Sequence, residues 1–194
     1  MPVKTAMVEI VSHVDDVIKQ LDEGQTEDMV EVIQSANRIF LMGAGRSGLA
    51  AKAFAMRLVQ LGLTAYVIGE SVTPGMKDDD ILIAVSGSGQ TSSIISAAEV
   101  AKGIGSKVLA VTSYPDSLLG ELADLTVEIK GRTKIDIEKD HLRNQIEGRH
   151  STLTPLGTLF EDSVMIFFDG IIAGLMTSLK AEEQDLKARH ATIE

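Results

Sequence analysis

The sequence contains no cysteine and no tryptophan, and aromatic residues make up only 4% of its 194 residues. Without cysteine the chain cannot form a disulfide framework, a thiolate zinc site or an iron–sulfur cluster, and it has no thiol nucleophile. This absence fits a reducing compartment, and we expect the protein to be cytoplasmic. A chain of this length is expected to form one domain that buries well over half of its unfolded surface without covalent cross-links.

Long apolar runs and an excess of positive charge are absent as well. The longest apolar stretches are about five residues long, far below the ~20 residues that span a bilayer. Residues 1–20 lack the basic start and the apolar run of a signal peptide. With 28 acidic and 18 basic residues the net charge is −10, which argues against a nucleic-acid partner because phosphate neutralisation needs a basic surface. We therefore expect neither a membrane nor a nucleic acid as a partner.

The negative charge is concentrated at the two ends of the chain. Residues 1–36 carry 2 basic and 8 acidic side chains, a net charge of −6, and residues 155–194 carry 3 and 7, a net charge of −4. Residues 37–128 carry 7 and 9, and residues 129–154 carry 6 and 4. An anionic ligand would therefore have to be bound by local groups in the nearly neutral middle, against the field of the whole protein.

Residues 1–36 are predicted to form a helical hairpin. Apolar residues recur at three- and four-residue spacing from Met7 to Leu21, which places them on one face of a helix. Gly24 is a plausible end for this helix, and a shorter helix begins at about Thr26. An acidic amphipathic hairpin of this kind can pack on its own domain or on a partner subunit.

The remaining polar and helical segments flank a central block at residues 37–129. Residues 130–154 are polar and basic without a convincing period, and we interpret them as an insertion that forms a loop, a short helix pair or a lid. After Pro155 the chain becomes strongly apolar, which predicts a long buried helix within residues 155–194. Gly170 and Gly174 lower the helix propensity there, which suggests close packing against another helix, either of the same chain or of another subunit.

In the central block, short apolar runs alternate with glycine-rich turns and helical stretches. The runs are nearly continuous, as in strands that are covered on both faces. Alternating strands and helices imply right-handed crossovers and a parallel sheet, which binds ligands at the carboxyl ends of its strands. The predicted fold class is therefore α/β, a layered sandwich around five parallel strands. The predicted strands are Ile39–Met42, Ala65–Ile68, Ile81–Val85, Val108–Val111 and Leu125–Ile129, with helices at Ser47–Leu61 and Thr91–Ile104.

Two strand-to-helix junctions contain most of the chemical information. Residues 43–48 are GAGRSG and residues 86–91 are SGSGQT. Glycines let a backbone approach a ligand closely, and the helix that follows offers unpaired N–H groups and the positive end of its dipole. Such turns also occur for folding reasons alone, but two of them in consecutive units favour a phosphate site. The predicted phosphate-binding residues are Gly45, Arg46, Ser47, Ser86, Gly87, Ser88 and Thr91, and Arg46 is equally well explained as a surface residue that covers the loop.

A dinucleotide site is the alternative for the first loop. Gly43, Gly45 and Gly48 have the G-x-G-x-x-G spacing. Glu70 follows Gly48 at the distance where a ribose-binding acid would lie. A nicotinamide enzyme has no need of the second loop, however, and 194 residues leave no room for a separate substrate domain. We therefore favour the phosphate site.

Together the two loops resemble the paired signature of sugar isomerase (SIS) domains, which bind phosphosugars on a flavodoxin-like three-layer sandwich with a five-stranded parallel sheet. Other segments resemble, more narrowly, the 6-phospho-3-hexuloisomerase family. The resemblance covers nearly the whole of residues 1–194 as a single domain, although residues 130–154 are longer than the linker of some members. The narrower resemblance rests on GRSG at 45–48, FAMRL at 54–58, Gly69-Glu70 with Thr73-Pro74, PLGTLFE at 155–161 and Arg189-His190.

The resemblance implies an isomerase that interconverts D-arabino-hex-3-ulose 6-phosphate and D-fructose 6-phosphate in the ribulose monophosphate pathway. It implies no metal and no organic cofactor, and a homotetramer with active sites near subunit boundaries. It also implies catalytic roles for Glu161, as the base that forms an enediol, and for His190, which assists ring opening or moves protons between substrate oxygens. Glu70 is a candidate ligand of the sugar hydroxyls.

The residues alone leave these roles open. Glu161 near the start of an apolar helix is explained either by a raised pKa in a desolvated site or by the helix dipole, which favours an acid there. His190 alone resembles a solvated residue near the chain end, and Glu70 resembles a strand-end acid that faces solvent.

Two other functions remain as alternatives. A non-catalytic phosphosugar sensor needs the loops but neither catalytic residue, and such a module is usually joined to a DNA-binding domain. Residues 1–36 are acidic and contain no basic helix-turn-helix pattern. An aldose–ketose phosphosugar isomerase shares both the phosphate site and the base, and the sequence does not separate it from the favoured function.

Overall fold

The computed structural model describes residues 2–131 and 153–190, so the predicted insertion at 130–154 lies almost entirely outside the described residues. The seven described helices lie at Pro2–Gln20 (α1), Glu23–Ser35 (α2), Arg46–Gln60 (α3), Ser92–Ile104 (α4), Leu118–Leu122 (α5), Thr158–Leu179 (α6) and Glu183–Ala188 (α7). The five described strands lie at Ile39–Gly43 (β1), Ala65–Val67 (β2), Ile81–Val85 (β3), Lys107–Thr112 (β4) and Leu125–Glu128 (β5).

The five strands form one parallel sheet in the order β2-β1-β3-β4-β5. This is the order of a flavodoxin-like sheet, in which the direction of winding reverses between β1 and β3. The predicted α/β fold class and the five predicted strands are confirmed. Helix α5, which has only five residues, was not predicted.

Alternate residues of each strand supply two separate cores, one on each face of the sheet. In β3, Ile81, Ile83 and Val85 pack with α2, α3 and α6, whereas Leu82 and Ala84 pack with α4 and α5. All five residues of this strand are buried. Burial on both faces explains why the strand is continuously apolar, and it gives the three layers of the fold.

The long apolar helix α6 is confirmed, and it packs mainly against α3 and α1. The rings of Phe54 and Phe168 stack between α3 and α6 with centroids 4.2 Å apart. A Cβ atom at Gly174 would lie 3.4 Å from Val30 of α2, whereas Gly170 faces open space. The close approach expected from the two glycines therefore occurs at Gly174.

Helix α1 carries the predicted apolar face, but its own domain covers only part of that face. Val17 is buried, but Met7, Val11 and Ile18 are each at least half exposed. The apolar residues of α1 therefore recur with the period of a helix, but most of them are exposed to solvent in a single chain. None of the described helices is long and apolar enough to cross a membrane.

One face of α1 holds both ends of the segment between β5 and α6. The Nε2 atom of His13 donates a hydrogen bond to the carbonyl oxygen of Lys130, at 3.0 Å. One turn earlier, Glu9 accepts a hydrogen bond from the hydroxyl of Thr154 at 2.9 Å and another from the amide of Leu153 at 3.3 Å. These contacts fix the point from which the chain enters α6.

A partly buried ion pair joins the starts of β1 and β3. Arg38 donates two hydrogen bonds to Asp80, from Nε at 2.8 Å and from Nη2 at 2.5 Å. The amide of Lys77 donates to the same carboxylate at 2.6 Å, and Arg38 also donates to the carbonyl of Gly75. The side chain of Asp80 is fully buried, so its charge depends on these donors.

Replacing Asp80 with alanine is expected to lower the melting temperature by more than about 5 °C, because it leaves the guanidinium of Arg38 and the amide of Lys77 without their acceptor. The exposed neighbour Asp79, replaced with alanine, serves as the control and is expected to change little. Thermal unfolding followed by circular dichroism measures both effects. Equal losses in the two variants would contradict a specific role for this ion pair.

Candidate active site

A cavity of about 340 Å³ lies at the carboxyl ends of β1 and β3, where the winding of the sheet reverses. Helix α3 leaves β1 on one face of the sheet and α4 leaves β3 on the other. Ligands of open parallel sheets bind at such a crevice. The cavity is lined by Ala44, Gly45, Ser47, Gly87, Ser88, Thr91, Leu156, Gly157, Phe160 and Glu161.

The first loop is tight because β1 and α3 approach each other with no room for side chains. A Cβ atom at Gly43 would lie 2.7 Å from the backbone of Ser47, and one at Gly48 would lie 2.7 Å from the carbonyl oxygen of Gly43. Gly45 precedes α3 with a φ of +58°, a conformation that favours glycine. The amides at the start of α3 are thereby held at the wall of the cavity.

The second loop is held by its own hydroxyl groups. The hydroxyls of Ser86 and Thr91 lie 3.0 Å apart, and the amide of Gln90 donates to the hydroxyl of Ser88 at 3.2 Å. Gly89 has a φ of +61°, and a Cβ atom there would collide with the side chain of Ser117. This packing holds the second loop against the residue before α5, with Thr91 at the wall of the cavity.

The N-terminal ends of three long helices meet at this cavity. The residues before α3, α4 and α6 are Gly45, Thr91 and Gly157, and all three line the cavity. In the part of the chain that the structure describes, none of the three ends has a side-chain capping hydrogen bond. The first amides of a helix have no partner within it, so these ends offer donors and positive dipole ends to an anion.

Glu161 lies in the first turn of α6, and its side chain is 17% exposed. Gly157 makes room for it, because a Cβ atom there would lie 2.9 Å from Oε1 of Glu161. Oε2 is buried and, among the described residues, has no hydrogen-bond partner. Nη1 of Arg46 lies 3.2 Å from it, as an ion pair without hydrogen-bond geometry.

The surroundings of Glu161 change its acidity. Burial raises the pKa of the Glu161 carboxyl above its ordinary value, the charge of Arg46 opposes this rise, and the charge of Asp162 adds to it. A half-buried carboxyl with a raised pKa inside a cavity is typical of a general base. Of the two explanations that the sequence leaves open for Glu161, the structure therefore supports desolvation, and the role of Glu161 as the base stays a prediction.

The cavity brings together Glu161 and five of the seven predicted phosphate-binding residues, which are Gly45, Ser47, Gly87, Ser88 and Thr91. Ser86 is buried beside the cavity and contacts Thr91 instead of lining it. Arg46 departs further from its predicted place, because its guanidinium points at the first turns of α6. Its partners Thr158 and Asp162 were not predicted, because their i, i+4 spacing places them on one face of α6 but does not indicate that Arg46 contacts that face.

Glu70 does not line this cavity in its own chain. Its carboxylate pairs with Lys52 at 2.5 Å and lines a separate groove of about 420 Å³ beside α3 and β2. The predicted sugar contact is therefore not formed within one chain. The strand order accounts for the position of Glu70, because β2 lies at the edge of the sheet and β1 separates it from β3.

His190 also lies away from this cavity in its own chain. Its neighbour Arg189 lines the groove beside α3 and donates to the carbonyl of Gln60 at 3.4 Å. Gln60 is the last residue of α3, whereas Ser47 lies at its first turn. A 15-residue helix is about 22 Å long, so the structure places His190 near the far end of α3 from the phosphate loops.

No group of three or more histidine, aspartate and glutamate side chains in the described ranges is arranged to hold a metal ion. The donors at the cavity are instead amides and hydroxyls, which suit a phosphate. The fold, the two loops and the half-buried carboxylate together define a candidate site for a small anionic ligand, and the predicted phosphate-binding roles stay predictions.

Comparisons with known proteins agree with this class. The SIS domain family matches residues 32–140. An uncharacterized protein of Aeropyrum pernix is 46% identical over 197 residues, which cover 100% of this chain and 93% of that protein. The 3-hexulose-6-phosphate isomerase of Bacillus subtilis is 35% identical over 188 residues, which cover 97% of each protein.

A solved structure from Methanococcus jannaschii, for which the function of a 3-hexulose-6-phosphate isomerase has been inferred, has a TM-score of 0.82 at 33% identity and covers 97% of this chain and 99% of that one. The chain belongs to the SIS domain family and, within it, to the family of the 3-hexulose-6-phosphate isomerases. The predicted family is confirmed, and with it the prediction that the chain is an isomerase.

Proposed function

We propose that the protein interconverts D-fructose 6-phosphate and D-arabino-hex-3-ulose 6-phosphate through an enediol. The single observation that carries this proposal is the half-buried carboxylate of Glu161 in a cavity that is also formed by three helix N-terminal ends. The reaction belongs to the ribulose monophosphate pathway, which fixes formaldehyde or supplies ribulose 5-phosphate, and we place it in the cytoplasm. The relatives named 3-hexulose-6-phosphate isomerase support this choice of substrate.

The phosphate is the group by which the substrate is held. The starts of α3 and α4 supply unpaired amides, and the hydroxyls of Ser47, Ser88 and Thr91 add neutral hydrogen bonds. Because the phosphate does not react, its binding energy serves to hold the sugar carbons beside the base. Local donors of this kind bind an anion in spite of the net charge of −10.

Glu161 is the group that moves the carbon-bound proton. Its carboxylate removes the proton from C3 of fructose 6-phosphate, and the electron pair shifts to form the C2–C3 double bond of an enediol as the C2 oxygen takes up a proton. The oxygen on C3 then loses its proton, the carbonyl forms at C3, and Glu161 returns the carbon-bound proton to C2. A raised pKa brings this base closer to the operating pH, where general acid–base catalysis is most effective.

His190 and a homotetrameric assembly complete the proposal. Since His190 lies near the far end of α3 in its own chain, we infer that it serves the site of a second copy. The outer side of α3 carries exposed Leu49, Met56 and Val59 beside the groove that Arg189 lines. An apolar surface of this kind supports contact between copies, and imidazole suits proton transfer between sugar oxygens near neutral pH.

Mixed assemblies of two inactive variants test whether the site is shared. Glu161→Gln and His190→Ala alone are each expected to lose about 100-fold or more in turnover. In oligomers formed from both variants together, about a quarter of the sites are expected to regain both groups. Separate assemblies that are mixed without subunit exchange are the control, and no recovery in co-assembled oligomers would contradict the sharing of the site.

The structure favours an enzyme over a non-catalytic phosphosugar sensor. The buried Oε2 of Glu161 has no hydrogen-bond donor among the described residues, which lowers stability. A module that only binds a phosphosugar does not need such a carboxylate, whereas an isomerase needs it as a base. Incubating the protein with fructose 6-phosphate and following the mixture by ¹³C NMR tests the proposal. A new 3-ketose is expected; an aldose product would favour the aldose–ketose isomerase, and binding without turnover would favour the sensor.

A further inference from the structure

Arg46 joins the N-terminal ends of α3 and α6. Its Nη1 atom donates to the hydroxyl of Thr158 at 2.8 Å, and its Nη2 atom donates to Oδ1 of Asp162 at 2.8 Å. The same Nη1 atom lies 3.2 Å from the buried oxygen of Glu161. One guanidinium therefore contacts three side chains in the first turns of α6, from a position 112 residues earlier in the chain.

This geometry differs from that of a phosphate ligand. The side chain of Arg46 is half exposed, and the residue does not line the cavity that holds the two glycine loops. Two of its three contacts are carboxylates, which already offset its positive charge. Arg46 presents a fork of donors that matches such a set of oxygens, and a lysine at this position could not contact them all in the same plane.

We propose that Arg46 is a positioning residue for the base, and that Thr158 and Asp162 act by holding its guanidinium against Glu161. Only the consequence for turnover rests on the proposed isomerase function, whereas the arrangement itself is a property of the free protein. Glu161 needs such a partner because its buried oxygen has no hydrogen-bond donor among the described residues. The ion pair restricts where that oxygen lies in the cavity.

The two charged groups that face Glu161 in the described structure have opposite effects on its proton affinity. Arg46 comes from α3 and stabilises the ionised carboxylate, whereas Asp162 comes from α6 itself and destabilises it. Removing the charge of Arg46 therefore raises the pKa of Glu161 further. The base would then be protonated over a wider range of pH, and turnover would fall most on the acid side.

Titration of the Glu161 carboxyl carbon by NMR in the free protein tests the arrangement without requiring activity. The signal is assigned by its loss in Glu161→Gln. In Arg46→Gln the pKa of Glu161 is expected to rise. Arg57→Gln removes the same charge about 16 Å further along α3 and is expected to leave it unchanged. An unchanged titration in Arg46→Gln would overturn the proposal even if the enzyme had no activity on any sugar phosphate.

Kinetics of the same variants test positioning against phosphate binding. Arg46→Gln is expected to lower kcat by about 10–100-fold, most strongly at low pH, with KM and the affinity for inorganic phosphate changed by less than about 3-fold. Arg46→Lys is expected to recover the acid side of the pH profile in part, because it keeps the charge. A loss of phosphate affinity of about 10-fold or more with the pH profile unmoved would instead make Arg46 a phosphate ligand.

A double-mutant cycle tests the role of Thr158. Thr158→Val removes the hydroxyl that accepts from Arg46 and keeps the shape of the side chain. The variant is expected to lower kcat in the parent protein but to have no further effect in Arg46→Gln, since Thr158 acts through that residue. Additive losses would contradict this part of the proposal.

Discussion

Glu161→Gln is expected to lower kcat by at least about 100-fold while the Kd for fructose 6-phosphate changes by less than about 3-fold. Glutamine keeps the shape of the side chain but cannot accept the proton from C3. The proposed phosphate contacts at the starts of α3 and α4 do not involve this residue. Steady-state kinetics and calorimetric titration with the phosphosugar measure the two quantities separately.

The same variant is expected to be at least as stable as the parent at neutral pH. A carboxyl whose pKa is raised in the folded state binds its proton more tightly there than in the unfolded state. Its ionisation therefore lowers stability as pH rises from the ordinary glutamate pKa of 4.5 through the raised pKa of the folded state. Glutamine removes that charge, so a loss of turnover cannot be attributed to unfolding.

The exposed Glu99 on α4 provides the matched control, and Glu99→Gln is expected to leave kcat and the melting temperature unchanged. Near-normal turnover in Glu161→Gln would remove Glu161 from the role of the base. A lower melting temperature in that variant would contradict the sign of the expected effect on stability.

Gly43→Ala is expected to cause the largest combined loss of stability and ligand binding. The new methyl group would lie 2.7 Å from the backbone of Ser47 and 2.8 Å from the amide of Gly48. These atoms belong to the first turn of α3, so they cannot rotate away as the end of a side chain could. Overpacking of this kind costs about 1–3 kcal/mol of stability. The clash would also displace the first turn of α3 from the cavity, which is expected to weaken phosphosugar binding by about 10-fold or more.

Gly103→Ala is the matched control for this substitution. Gly103 lies in the last turns of α4, and the space around it is open. Alanine there is expected to stabilise the protein by roughly 0.5–1 kcal/mol through its higher helix propensity. Thermal unfolding and phosphosugar titration compare the two variants. A Gly43→Ala protein with the parent's stability and affinity would show that the close approach of β1 and α3 is not required.

The sheet could be predicted from the sequence because burial on both faces leaves a strong signal. A run such as Ile81–Val85 has no polar position, and the structure buries all five of its residues. The two glycine loops could be located because they directly follow such runs. Helix α5 was missed because five residues, Leu118–Leu122, are too few to show a helical period.

The arrangement of the site could be predicted only in part. Glu161 and most of the loop residues meet because they lie at the ends of neighbouring elements. The contact of Arg46 with Thr158 and Asp162 joins elements far apart in sequence, and no spacing rule indicates it. For His190 the resemblance to a family motif supplied a candidate role, but no position in the fold. Its position follows only from the contact of its neighbour Arg189 with the end of α3.

Helix α1 shows a further limit of sequence patterns. The apolar period was predicted, but the period does not say whether a face packs on its own domain or stays uncovered in one chain. The structure leaves Met7 and Val11 more than half exposed. On the same helix, the polar side chains of Glu9 and His13 form hydrogen bonds to the chain on either side of residues 132–152. No sequence pattern distinguished those two polar residues from other surface positions of the helix.

The most direct measurement is the position of deuterium in fructose 6-phosphate after incubation with the protein in ²H₂O. If Glu161 exchanges its proton with solvent while it moves the proton between C3 and C2, NMR will show deuterium at C3 of the remaining substrate and at C2 of the 3-ketose product. Glu161→Gln should abolish both signals. Deuterium at C1, or bound substrate that exchanges no carbon-bound proton and yields no 3-ketose, would contradict the proposed reaction.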